Sequence, residues 1–91
     1  MAKVRLFGRV SDAAQGHKEL KISSKTLGEL LEHLKRTYGD QFTSLIFDET
    51  GKIKPFINVF INKKHMSQFK GLDVAINDED EVLIVPAIAG G

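Results

Sequence analysis

Apolar residues at every second position open the chain. Val4, Leu6, Gly8 and Val10 alternate with Lys3, Arg5, Phe7 and Arg9, the period-2 signature of a strand with one buried face. Ser11 to Gly16 reads as a turn or short helix, and His17 to Ile22 alternates again through Leu20 and Ile22, predicting a second strand antiparallel to the first. The period then changes. Leu27, Leu30, Leu31, Leu34 and Tyr38 recur at helical spacing, while Glu29, Glu32, Lys35 and Arg36 fall off that stripe, so the segment predicts the main helix. Thr26 stands three residues before Glu29 in the spacing of a capping box, and Gly39 offers a left-handed stop. Gly28 in the first turn costs about 1 kcal/mol relative to Ala.

Beyond the helix, Phe42, Leu45, Ile46 and Phe47 predict a short helical turn over one end of the core, and Asp48 to Lys52 a turn. Pro55 introduces a strand over Phe56 to Ile61, with Ile57, Val59 and Ile61 on one face and Phe56, Asn58 and Phe60 on the other. Asn62-Lys63-Lys64 turns the chain into a loosely patterned connection, His65 to Ala75, with room for a short strand. Asn77 to Asp80 turns again, and Val82 to Val85 reads as a buried central strand stopped by Pro86. A hairpin, a crossing helix and a last strand returning beside the first make an α+β layout, the β-grasp, with a mixed sheet of four to five strands packed on one main helix. One domain over residues 1–86 and a flexible Gly-Gly tail over 87–91 is the simplest organisation.

Length narrows the function classes. A chain of 91 residues has little room for a deep enclosed active site beside its packing residues. Thirteen Lys and Arg against twelve Asp and Glu, scattered along the chain, leave no basic stripe for nucleic acid. The absence of Cys removes disulfides, thiolate catalysis and Cys-based zinc sites, and fits a reducing compartment. No apolar h-region opens the chain and no run is long enough to span a bilayer, so a soluble, cytoplasmic protein with no membrane partner is expected.

The chemistry concentrates at the end. Val85-Pro86-Ala87-Ile88-Ala89-Gly90-Gly91 follows directly from the last strand, and two glycines without Cβ can thread a narrow channel and bring the Gly91 carboxylate to a bound nucleotide. Attack of that carboxylate on the α-phosphate of ATP would give an acyl-adenylate, and a sulfur nucleophile would then give a thiocarboxylate. The stretch Asp78-Glu79-Asp80-Glu81-Val82-Leu83-Ile84-Val85-Pro86-Ala87-Ile88-Ala89-Gly90-Gly91 resembles the C-terminal signature of the ubiquitin-like sulfur carriers, above all the small subunit of molybdopterin synthase in its archaeal form. Val4 to Gly8 and Ile57 to Asn62 also resemble that family. Two positions depart from its pattern: Ala87 replaces the second Pro of a Pro-Pro pair, and Glu79 stands where Gly usually precedes the Asp.

The resemblance implies a non-catalytic carrier subunit that binds no cofactor itself. A ubiquitin-activating-type enzyme would adenylate Gly91 with ATP and magnesium, a sulfurtransferase would load the sulfur, and the tail from Pro86 through Ala87, Ile88, Ala89 and Gly90 would thread into the large subunit of molybdopterin synthase to build the dithiolene. Two other outcomes share the tail: conjugation through Gly91 to lysines of other proteins, and sulfur donation to thiamine synthesis or transfer-RNA thiolation.

Parity supplies a docking surface independently. With Val4, Leu6, Ile57, Val59, Ile61, Val82 and Ile84 facing the helix, Phe7, Phe60, Leu83 and Val85 fall on the opposite face beside the tail. His17, His33 and His65 have no metal-ligand spacing and read as exposed single histidines. Lys63-Lys64 and Asp78 to Glu81 read as solvated turn charges, and no serine has an accompanying base or oxyanion loop.

Overall fold

A computed structural model of the chain describes residues 1–69 and 71–87. Five strands form one mixed sheet: β1 (Ala2–Leu6), β2 (Glu19–Ile22), β3 (Ile57–Ile61), β4 (Lys64–His65) and β5 (Glu81–Pro86), in spatial order β2-β1-β5-β3-β4. β5 runs parallel to β1 and antiparallel to β3. The β-grasp expectation is met, with the C-terminal strand at the centre.

Three helices cover one face: α1 (Arg9–Ala13), α2 (Leu27–Tyr38) and α3 (Asp40–Ile46). Leu27, Leu30, Leu31 and Leu34 of α2 and Phe42 and Ile46 of α3 are fully buried against Val4, Leu6, Ile57, Val59, Val82 and Ile84 of the sheet. The Thr26 hydroxyl accepts the Glu29 backbone N–H at 3.2 Å, the cap that the spacing predicts. Gly39 at φ +76° closes α2 and opens α3, a backbone that residues with a Cβ rarely adopt.

Three local expectations change. The first strand stops at Leu6 instead of running to Val10, because Gly8 at φ +56° turns the chain and Val10 reaches the core from α1. Pro86 is the last paired residue of β5, opposite Ile57, and not a stop before it. Its missing N–H is harmless there: the Ala87 N–H donates toward β3, to the Phe56 carbonyl, so by alternation the Pro86 nitrogen faces β1, which has already left the sheet. The third strand begins at Ile57 and not Phe56. The connection after β3 holds the two-residue edge strand β4 and short 3-10 turns at Met66–Gln68 and Gly71–Asp73.

Candidate docking face and tail base

The helix-free face of the sheet carries the alternate residues of every strand. Register places Glu19, Arg5, Leu83, Phe60 and His65 side by side across all five strands. One step toward the tail, Asn58 lies opposite Val85, and the Phe7 N–H donates to the Ile84 carbonyl at 3.2 Å, which sets Phe7 alongside Val85. The four residues singled out by parity, Phe7, Phe60, Leu83 and Val85, therefore share this face, and each is half-buried. Strand alternation alone explains the grouping: the core residues between them are fully buried on the other side.

Aromatic packing organises the two margins. On the β1 side the Arg5 guanidinium lies over the Phe7 ring, 5.5 Å from its centroid. On the β4 side the His65 ring meets Phe60 edge-on, with centroids 5.3 Å apart. His65 is also clamped in place: the Ser67 backbone N–H donates to its Nδ1 at 3.1 Å, and Nε2 stands 2.8 Å from the Asn58 Oδ1. Because Nδ1 accepts, Nε2 carries the proton and donates to Asn58. Far from being an exposed single histidine, His65 ties β4 to β3 and backs the Phe60 ring.

The base of the tail is built where β5 outruns β1. A Cβ on Gly8 would stand 3.2 Å from Pro86 Cγ, so the glycine lets the β1–α1 turn lie against the proline. Phe56, 39% exposed, flanks the same end of β5. Its carbonyl receives the Ala87 N–H, and the Lys54 ammonium lies 5.9 Å from its ring centroid. Phe56 is a surface aromatic outside the set of Phe7, Phe60, Leu83 and Val85. Its signal in the sequence is its parity with Asn58 and Phe60. Of the tail residues, Pro86 is half-buried and Ala87 exposed; Ile88, Ala89, Gly90 and Gly91 lie outside the described residues.

Among the described residues no group of three or more His, Asp or Glu side chains is arranged to hold a metal, and no helix is long and apolar enough to cross a membrane. A broad cleft between α3 and the Asp48 turn, lined by Asp40, Thr43, Phe47 and Lys54 among others, lies apart from the docking face. In that turn Asp48 Oδ1 accepts from the Thr50 hydroxyl at 2.6 Å and from the backbone N–H groups of Thr50 and Lys52. The Thr50 hydroxyl first, then the Lys52 N–H, holds the Asp48 carboxyl below its usual range. Partial burial pushes the Tyr38 phenol up, and its oxygen stands 2.8 Å from His17 Nδ1. Asp80 is more than a solvated turn charge: its carboxylate accepts from the Asn77 N–H and the Asn62 amide, both at 2.8 Å.

Known proteins share this architecture. The putative sulfur carrier protein of Archaeoglobus fulgidus is 32% identical over 89 residues, 98% of this chain and 97% of the relative. Sulfur carrier protein CysO of Mycobacterium tuberculosis is 35% identical over 77 residues, 84% of this chain and 83% of its own. A CysO crystal structure superposes with a TM-score of 0.83 at 28% identity, covering 97% of this chain and all of that one. Small archaeal modifier protein 3 of Haloferax volcanii is 35% identical over 66 residues, 72% of this chain and 70% of the relative. The family model described as the ThiS family matches residues 4–91, and with these relatives on either side of it the chain belongs to that family, the ubiquitin-like sulfur carriers.

Proposed function

We propose that this chain carries sulfur as a thiocarboxylate on Gly91 and delivers it for molybdopterin synthesis. The observation that carries the reading is the exit of the C-terminal segment from the central strand, directly beside an apolar, aromatic face. A partner that covers Phe7, Phe60, Leu83 and Val85 is then positioned to receive whatever follows Pro86 and Ala87.

In the first step the Gly91 carboxylate oxygen attacks the α-phosphorus of ATP, the bond to pyrophosphate breaks, and an acyl-adenylate forms in a ubiquitin-activating-type enzyme. In the second, the outer sulfur of a persulfide on a sulfurtransferase attacks the carbonyl carbon and AMP leaves; a thiol then attacks the enzyme-side sulfur of the acyl disulfide, releasing the thiocarboxylate and leaving a disulfide on the partner. This chain supplies the reacting terminus and the docking face; magnesium and nucleotide belong to the activating partner. The large subunit of a molybdopterin synthase is the proposed recipient, on the resemblance of the Asp78 to Gly91 signature. A second reading is favoured by the likeness to a small archaeal modifier protein: conjugation of Gly91 to lysines.

Intact mass spectrometry of the chain from its native cell separates the two. A gain of about 16 Da, sulfur in place of oxygen at the acyl carbon, that disappears when the activating enzyme is deleted supports the carrier. Tryptic digests in which lysines of other proteins carry the segment that follows Lys70, residues 71–91 of this chain, support the modifier. If neither product forms, both readings fall.

A further inference from the structure

Arg5 occupies an unusual position on the docking face. Strand register sets Glu19 directly opposite it on β2 and Leu83 directly beside it on β5. Opposite charges facing each other across an antiparallel pair ordinarily interact. Here the guanidinium lies instead over the Phe7 ring, and the two salt bridges among the described residues, Met1 with Asp78 and Lys35 with Glu32, leave both Arg5 and Glu19 out. Among the described residues no hydrogen bond takes up the Arg5 side chain either. The cation is thus turned toward the apolar patch and uncompensated within it.

A partner that covers Leu83 and Phe7 must also cover Arg5. A guanidinium does not deprotonate in a protein, so its desolvation is repaid only by an anion or several acceptors in the partner. The opposite flank of the same row ends in His65, whose Nδ1 accepts a backbone N–H, which leaves Arg5 as the fixed cation of that row. We propose that Arg5 is a specificity-determining residue of the docking face, met by an Asp or Glu carboxylate at the edge of an apolar groove in the activating enzyme. The proposal rests on the carrier reading and adds the chemistry by which the partner is chosen. A stacked, planar guanidinium favours a bidentate carboxylate over isolated carbonyl groups.

The test is ATP–pyrophosphate exchange by the activating enzyme from the same cell, with the full chain as the varied substrate, at about 0.05 M and about 0.5 M salt. Arg5→Glu should raise KM at least about 30-fold at low salt, with Arg5→Gln and then Arg5→Lys progressively milder and kcat unchanged throughout. High salt should narrow the differences. Glu19→Gln should leave KM within about twofold, since Glu19 lies on the edge strand β2, beyond Arg5 and away from the apolar patch. Thermal melts of the variants check that each is folded. An unchanged KM for Arg5→Glu and Arg5→Gln, with the unaltered chain active, overturns the inference and leaves the carrier reading standing. A fall in KM for Glu19→Gln as large as the rise for Arg5→Gln overturns it too, because the net charge of the face, and not Arg5, would then be responsible. No exchange with the unaltered chain overturns the carrier reading and the inference together.

Discussion

Lys63 holds a backbone conformation that its side chain disfavours. Asn62 and Lys63 form the two-residue turn between β3 and β4, at φ +50° and +71°, the positive pair that hairpin twist requires and that Asn-Gly satisfies best. Asn62 is further fixed because its side-chain oxygen accepts the Glu81 N–H at 2.9 Å and its amide donates to Asp80. Lys63→Gly should therefore stabilise the fold by about 1 kcal/mol, whereas Asn62→Ala should cost about 1–2 kcal/mol by stranding both partners; urea titration measures both. At Asp48 the folded carboxyl titrates below its unfolded value. The sign follows: its contribution is present above the unfolded pKa and is lost as pH falls through the depressed folded one. Carbon-detected NMR titration should show the Asp48 midpoint below that of an ordinary carboxylate, and Thr50→Val should move it back up.

At the scale of elements, the two sides of the sheet should respond differently to truncation. Leu34 is fully buried, and Leu34→Ala should cost about 2–5 kcal/mol. Phe7→Ala and Val85→Ala, on half-buried residues of the open face, should cost far less stability while weakening binding of the activating enzyme, measured by calorimetry. Strands and main helix were legible because each writes its period directly into the order of residues. The pattern carries the first strand on to Val10 because Val10 keeps the period-2 parity of β1 while reaching the core from α1. Pro86 was read as a stop because its tolerance depends on β1 having ended, a fact of tertiary structure. β4 has two residues, too few for alternation to register. The hydrogen-bonded clamp on His65 joins residues on both sides of a turn and leaves no mark in spacing. Arg5 reads as an ordinary solvent-facing residue of an alternating strand, and its lack of an ion pair among the described residues emerges only from the side-chain geometry.

On the scale of the whole molecule, the proposed division of labour is between the core and the C-terminal glycine. Among the described residues the core side chains come from residues 2–84, and removal of Gly91 should leave the melting temperature unchanged while abolishing pyrophosphate exchange. A calorimetric scan and the exchange assay on the same sample check both halves. Gly8→Ala should act on both properties, because φ +56° and the 3.2 Å approach to Pro86 Cγ oppose a methyl group. Its cost should be about 1–2 kcal/mol, with a displaced tail base detectable as shifted Pro86 and Ala87 resonances. The order β2-β1-β5-β3-β4 also governs how the molecule bears load. β1 and β5 run parallel, so an enzyme drawing on the C-terminal end while the β1 end is held pulls along the ladder, and its hydrogen bonds resist together instead of opening one at a time. The antiparallel β3 braces the other edge of the same strand. Traction on the terminus is thereby spread across the middle of the sheet.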